Sequence, residues 1–423
     1  MTDVAPLARV RGSVRVPGDK SYSHRAVLLA ALAEGASTLS GLSPGADVAA
    51  TLDAVARLGA RVEVDEDRLR VGGPPGGLRA SAEPLECANS GTTMRLLCGV
   101  VAGVAGTHRL VGDASLSRRP MDRVAAPLRL MGARVRGEGP TLHAPLLVEG
   151  GPLTGIDYRV PVPSAQVKSA VLFAGLGAAG PTTVVEAVRT RTTTEDTMRE
   201  AGLTLGVTPE GAGRRVTLSP GRPHARGWRV PGDPSQAAFF AVLGAIHEDA
   251  SLEVVSLDAA PERVGFVEVL ARMGARVALH DHGSFHSLSA LSSALVATEV
   301  HSREIPSVDE VPILTVAACA ADGVSAFRAM AELRVKESDR FAGSLDLARR
   351  LGAAAWADGD DFFVEGLGSA RRFAPFHLDA GLDHRMVMAA AVAGAAGRGC
   401  VIEGAETVAT SYPHFFRDLA LLA

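Results

Sequence analysis

Polar residues leading into an apolar, Ala-rich run recur six times along this chain. The starts are Ser21, Gly91, Ser164, Ser235, Glu310 and His384, spaced 70, 73, 71, 75 and 74 residues apart. Runs with no polar stripe predict helices buried on every side. A second landmark keeps the same beat in another phase. Leu58-Gly59-Ala60-Arg61-Val62 returns as Met131-Gly132-Ala133-Arg134-Val135 and Met273-Gly274-Ala275-Arg276-Val277, with looser copies at Gly202 and Gly352. Each copy follows an amphipathic stretch and precedes a short apolar or alternating run, which predicts helix, glycine stop, then strand. Two landmarks with one period predict six α/β units of about 72 residues, each pairing a buried helix with an amphipathic one.

Arg15-Val16-Pro17-Gly18-Asp19-Lys20-Ser21 is matched by Arg229-Val230-Pro231-Gly232-Asp233-Pro234-Ser235. The copies lie close to three units apart and predict two chain crossings, at 16–20 and 230–234. The expected domains are 20–228 and 1–19 with 229–423, three units each. The last helix has no strand after it, so residues 7–16, with Val10, Val14 and Val16 alternating, are expected to complete the sixth unit. A simple solenoid is the weaker alternative, because the duplicated Pro-Gly junction implies a break.

Composition narrows the function classes. At 423 residues, 47% hydrophobic and 21% charged, the chain is long enough for two to three globular domains. A net charge of -4 argues against a general nucleic-acid or membrane surface, so any anion site must be a local cluster. Cys87, Cys98, Cys319 and Cys400 have no CxxC spacing and read as buried thiols in a reducing compartment. No signal pattern opens the chain and no apolar run reaches the roughly 18–20 residues of a membrane span, so a cytoplasmic location is expected. Of 43 Lys and Arg residues only Lys20, Lys168 and Lys336 are Lys. Lysine persisting against that bias points to positions that want a compact ammonium.

Anion-binding groups gather at the repeated helix starts. Lys20, Ser21 and Arg25 lie at or within one first turn, where free N–H groups and the helix dipole suit phosphate or carboxylate. Asn89-Ser90-Gly91-Thr92-Thr93-Met94-Arg95 combines good caps, a glycine permitting close approach and a cation. Gly112 to Pro120 is a polar loop with paired Arg118 and Arg119. Ser164-Ala165-Gln166-Val167-Lys168 and the hydroxyl-rich turn Thr190 to Glu195 follow. Asp309-Glu310 places two acids before an apolar run. Glu332 to Arg340 is the densest charge cluster; on a helix Lys336 and Arg340 would share a face, with Glu337 beside them for proton transfer. Asp383-His384-Arg385 opens the sixth unit. Each stretch alone reads equally well as an ordinary cap or a solvated face. Together they predict one cleft between two domains that binds small polyanions. No metal-ligand cluster, Walker loop or dinucleotide fingerprint is present.

Pro-Gly-Asp-Lys-Ser-x-Ser-His-Arg, Asn-Ser-Gly-Thr-Thr-x-Arg, Ser-Ala-Gln-x-Lys-Ser, Leu-Arg-Val-Lys-Glu-Ser-Asp-Arg and Asp-His-Arg-Met resemble, in order, the 5-enolpyruvylshikimate-3-phosphate synthase family. The resemblance runs from Arg11 to the end of the chain. It implies a two-domain inside-out α/β barrel, threefold within each domain. It implies enolpyruvyl transfer from phosphoenolpyruvate to shikimate-3-phosphate with release of phosphate, in aromatic amino-acid biosynthesis, without metal or organic cofactor. The expected partners are these two small molecules, acting on a monomer, with no nucleic acid or membrane. By resemblance Lys20 contacts both substrates and Gln166 lies between them. Ser21, Arg25, Ser164, Ala165, Thr190 and Lys336 hold shikimate-3-phosphate. Gly91, Arg119, Arg340 and Arg385 hold phosphoenolpyruvate. Asp309, which also contacts shikimate-3-phosphate, is the base for the hydroxyl and Glu337 the proton carrier at the methylene, Lys20 is catalytic with them, and Arg95 and His384 lie behind. Gly91 also implies sensitivity to the inhibitor glyphosate. The chain departs from the family pattern at Thr192-Thr193, where Asp-His is common, and at Thr410, where many members carry Lys. The sister UDP-N-acetylglucosamine enolpyruvyl transferases typically carry a Cys where this chain has Ala114. A catalytically dead anion-binding protein would be expected to lack the acids and lysines kept here.

Overall fold

The computed structural model describes residues 1–65, 68–283, 285–305, 307–368 and 372–423. The chain divides into two compact units, Lys20–Val230 and Met1–Asp19 with Pro231–Ala423. Each has its own hydrophobic core.

The six Ala-rich runs are helices: Lys20–Leu32, Gly91–Ala102 and Ala165–Gly175 in the first unit, Pro234–Ile246, Val311–Ala320 and His384–Ala396 in the second. They are buried as an all-apolar helix must be; every residue of Pro234–Ile246 except Ile246 is buried. Small side chains let them pack closely. A Cβ on Gly99 would come within 2.2 Å of the Ala170 carbonyl oxygen, so Gly91–Ala102 and Ala165–Gly175 meet nearly backbone to backbone. The glycine stops also behave as read. Gly59 follows Ala46–Arg57 at φ +96°, a conformation only glycine adopts without strain, and strand Arg61–Asp65 begins two residues later.

Sheets cover the helices, usually with one face buried. Leu85–Glu86 pairs in parallel with Gly106–Val111 across the buried Gly91–Ala102 helix, and His143–Gly150 and Arg134–Glu138 continue the sheet antiparallel. His143–Gly150 alternates buried and partly exposed side chains, as expected of a sheet with one face on the core. Among the described residues five sheets have this four-stranded order and a sixth has three strands.

Two expectations need correction at the crossings. Strand Val10–Val14 does not complete the sixth sheet; it pairs in parallel with Ala250–Leu257 of the fourth. The sixth sheet is completed by Thr2–Val4, antiparallel to Cys400–Glu403. Alternation marks a strand but says nothing about which open edge it joins. Likewise Gly227–Arg229 pairs with Ala36–Ser40, so residues 229 and 230 belong with the unit that precedes them.

The duplicated Pro-Gly-Asp motifs lie side by side. Gly18 and Gly232 form an antiparallel bridge, Asp19 N–H donates to the Pro231 carbonyl at 2.7 Å, and Asp233 N–H donates to that of Pro17 at 2.9 Å. Buried Arg263 bonds both twin aspartates through one nitrogen, Nη2, at 2.5 Å from Asp19 and 2.7 Å from Asp233. Neither the shared guanidinium nor its position in a short 3-10 turn, Pro261–Arg263, is signalled in the sequence.

Candidate active site

In the first unit hydrogen bonds tie three buried-helix starts together. Lys20 is the first residue of its helix, and its Nζ lies 2.9 Å from Oδ2 of Asp47. Thr93 Oγ1, at the start of Gly91–Ala102, donates to the Asp47 carbonyl. Ser90 caps that helix by accepting from Thr93 N–H. Arg95 Nη1 donates to Gln166 Oε1 at 2.8 Å, and Gln166 Nε2 donates back to Thr92. Ser164 caps the third helix, leaving Ala165 as its first residue. Arg25 closes the circuit: its guanidinium donates to Ser169 of the third helix at 2.7 Å, to Thr194 at 2.6 Å and to the Ser21 carbonyl. Arg191 reaches Ser21 Oγ at 3.3 Å, and Thr190 donates its hydroxyl to Glu186. Arg119 is held by Asn89 at 2.7 Å. Lys20, Arg25, Arg95, Arg119 and Arg191 thus gather around helix N-termini, the electrostatic setting for an anion.

Gly91 sits against two of these cations. A Cβ there would lie 2.7 Å from Arg95 Nη1 and 3.2 Å from Arg119 Nη1. Gly91→Ala is therefore expected to push the guanidinium groups aside without unfolding the helix. For an enzyme using phosphoenolpyruvate here, its KM should rise about tenfold while the shikimate-3-phosphate KM stays within about twofold, tenfold corresponding to about 1.4 kcal/mol. Steady-state kinetics on both substrates checks this, and equal changes in the two KM values would count against it.

Lys168 is not an anion-binding group, although its helix start suggested one. Its side chain is fully buried and bonds Glu186 at 3.0 Å, Glu195 at 2.8 Å and the Arg191 carbonyl at 2.9 Å. Glu195 does more than complete a cap. It also pairs with Arg214. Burial pushes its carboxyl up, and Lys168 and Arg214 offset this only in part.

In the second unit one guanidinium organises the acids. Arg340 is fully buried and grips Asp383 with two bonds, Nε–Oδ2 at 2.8 Å and Nη2–Oδ1 at 3.1 Å. Its Nη1 lies 3.0 Å from Asp309 and its Nη2 2.8 Å from Glu337. Burial opposes the Arg340 charge, yet the three carboxylates hold its pKa above the ordinary value. Asp383 lies below the usual carboxylate range because Arg340 outweighs burial. Asp309 and Glu337, each about one-fifth exposed, are thus fixed by one rigid fork, their carboxylates still reachable from outside. Arg385 adds a contact to Asp309, 3.6 Å from its carboxylate and 3.3 Å from its carbonyl. Val308, just before Asp309, holds φ at +50°. A β-branched residue there is strained by about 1–3 kcal/mol, which persists only where the surroundings fix the backbone.

Lys336 and Arg340 do not share a helix face. Residues Ala331–Val335 form a 3-10 turn, Lys336 is extended, and the α-helix starts at Arg340, capped by the Asp339 side chain on Ala342 N–H. Asp and Ser favour caps over helix interiors, and Ser338-Asp339 stops the turn from joining the helix. Lys336 instead donates to the Ser307 carbonyl at 2.9 Å, two residues before Asp309, and to Glu332. His384, first in its helix, is buried. The residues that reading the sequence missed are the partners: Asp47, Glu186, Arg214, and Asp383 in its grip on Arg340. Asp383 alone left a signal, as an acid before a helix start. Among the described residues no three His, Cys, Asp or Glu side chains are grouped to hold a metal ion, and no helix is long and apolar enough to cross a membrane.

The comparisons with known proteins point one way. The chain is 43% identical to a 3-phosphoshikimate 1-carboxyvinyltransferase of Synechococcus sp. (strain WH7803), over 98% of this chain and 96% of the relative. It is 36% identical to a solved EPSP synthase from Acinetobacter baumannii, with a TM-score of 0.86, covering 100% of this chain and 98% of that one. The enolpyruvyl transferase NikO from Streptomyces tendae, at 19% identity and TM-score 0.77 over 99% of this chain and 96% of that one, shares the fold. The model of the EPSP synthase (3-phosphoshikimate 1-carboxyvinyltransferase) family matches residues 4–419, and with these identities over nearly the full length the chain belongs to that family.

Proposed function

We propose that this chain transfers the enolpyruvyl group of phosphoenolpyruvate to the 5-hydroxyl of shikimate-3-phosphate and releases phosphate. The observation that carries the chemistry is the Arg340 fork, which fixes Asp309 and Glu337 as two positioned carboxylates. Asp309 takes the hydroxyl proton while Glu337 delivers a proton to the methylene carbon. The oxygen bonds to the neighbouring carbon, giving a tetrahedral intermediate. Phosphate then leaves, taking up the hydroxyl proton held by Asp309, and the proton gained at the methyl carbon returns to Glu337 as the double bond re-forms.

The substrates together bring about five or six negative charges, whose repulsion fixed cations and dipoles must offset. Lys20, Ser21, Arg25, Ser164, Ala165, Gln166, Thr190 and Lys336 serve shikimate-3-phosphate. Lys20, Gly91, Arg119, Gln166, Arg340 and Arg385 serve phosphoenolpyruvate. Lys20 is suited to both, a partly buried ammonium held beside Asp47. The four cysteines are free and buried, which suits a reducing cytoplasm. The working form proposed is a monomer without cofactor.

Purified protein given both substrates should release inorganic phosphate in step with loss of phosphoenolpyruvate. No release with shikimate-3-phosphate, or release with UDP-N-acetylglucosamine in its place, would sink this reading.

A further inference from the structure

We propose that Lys168, Glu186, Glu195 and Arg214 form a positioning cluster that sets the Thr190-Arg191 segment for the ring-bearing, phosphorylated substrate. Each of the four is at most 7% exposed. Two cations meet two carboxylates: Lys168 bonds both glutamates, and Arg214 bonds Glu186 at 2.7 Å and Glu195 at 3.1 Å. A balanced buried cluster is weak evidence for stability, because desolvation offsets much of the attraction. Its geometry indicates another role.

Three of the four, Lys168, Glu186 and Arg214, reach the same two residues, and Glu195 holds the two cations in place. Lys168 Nζ holds the Arg191 carbonyl at 2.9 Å, Arg214 Nη2 holds the Thr190 carbonyl at 2.5 Å, and Glu186 accepts the Thr190 hydroxyl. Two consecutive carbonyls and one side chain are thus fixed from below. This leaves Arg191 directed at Ser21, the second residue of the Lys20 helix. The residues next in sequence repeat the arrangement for Arg25. Ser169 follows Lys168 and Thr194 precedes Glu195; the two bond each other at 2.6 Å, and both accept from Arg25. One buried cluster therefore sets both the segment and a cation on the neighbouring helix. These partners all lie in Lys20–Val230, and the Arg340 acids lie in the other unit. The cluster should govern binding of one substrate and leave the chemical step alone.

The inference rests on the proposed function, and its test separates the two. Lys168→Met with Glu195→Gln keeps the charges balanced, one Arg against one Glu, so the variant should fold. The expected result is a shikimate-3-phosphate KM raised about tenfold, with kcat and the phosphoenolpyruvate KM within about twofold, since an unset segment weakens binding of that substrate in ground and transition states alike. Hydrogen–deuterium exchange of the peptide containing residues 187–193 should quicken in the variant, whether or not substrate is present. Unchanged exchange in a folded variant overturns the proposal. Faster exchange with an unchanged shikimate-3-phosphate KM overturns it too, by detaching the segment from the substrate. Failure of the proposed function shows separately, as wild-type protein that releases no phosphate.

Discussion

Asp309→Ala should bind both substrates and yet turn over about 10²–10⁴-fold more slowly, the scale of a positioned acid–base group. The protein should survive the change. Arg340 keeps its two bonds to Asp383 and its contact with Glu337, so no buried charge is left alone. Asp309 is partly exposed, and the backbone around it is held independently, by Lys336 on the Ser307 carbonyl and by Ser307 Oγ on buried Glu310. A loss in kcat with unchanged thermal melting and unchanged substrate dissociation constants therefore isolates the proton-transfer role. Isothermal titration beside single-turnover kinetics makes the separation. A kcat within about tenfold of wild type would remove Asp309 from the mechanism, because a positioned base contributes more than that.

The repeat was legible because burial leaves a compositional trace. A helix buried on all sides is apolar all round, so the starts at Ser21, Gly91, Ser164, Ser235, Glu310 and His384 stood out. Gly59 and its copies stood out because the residue after a helix often needs positive φ. What was not legible is pairing over distance. Nothing local says that Val10–Val14 takes the edge beside Ala250–Leu257 when another edge is open. Nothing near Lys168 announces Glu186, Glu195 and Arg214, although a lone Lys inside an apolar helix run signals a buried countercharge somewhere. Side-chain positions were readable where a motif opens a helix, as with Lys20 and Arg25. The charge cluster from Glu332 to Arg340 hides its break, since Ser338-Asp339 caps a new helix rather than extending the turn.

The distribution of charge divides the labour. In the first unit Lys20, Arg25, Arg95, Arg119 and Arg191 converge on helix starts, bonding Asp47 and a set of hydroxyl, amide and carbonyl groups. In the second, Arg340 is already surrounded by three carboxylates and acts chiefly as a scaffold for acids. The acids proposed for proton transfer thus sit in the second unit, on the Arg340 fork.

Asp383→Ala is expected to give the largest loss of stability. The carboxylate is fully buried and does three jobs: it receives two bonds from Arg340, accepts the Ser338 hydroxyl at 2.8 Å, and caps its helix through Arg385 N–H at 2.9 Å. Removing one partner of a buried pair costs about 3–5 kcal/mol, because the remaining charge stays desolvated. For a unit of this size that lowers Tm by roughly 6–20 °C. Asp383→Asn keeps the shape and the cap but puts an amide NH2 where Oδ2 accepts from Arg340 and Ser338, so its deficit combines the charge with a lost acceptor, and pH separates the two. The sign with pH follows from the lowered carboxyl pKa. Stability from the ionised group is present above the unfolded value, about 4, and is lost as pH falls through the lower folded value. Urea unfolding of wild type and Asp383→Asn should therefore differ most near neutral pH and converge as the pH falls from about 4, where the unfolded carboxyl takes up its proton, through the lower folded value. A gap between the two proteins that stayed constant from neutral pH into acid would show that the Asp383 charge contributes nothing, and that the Arg340 fork is held by shape alone.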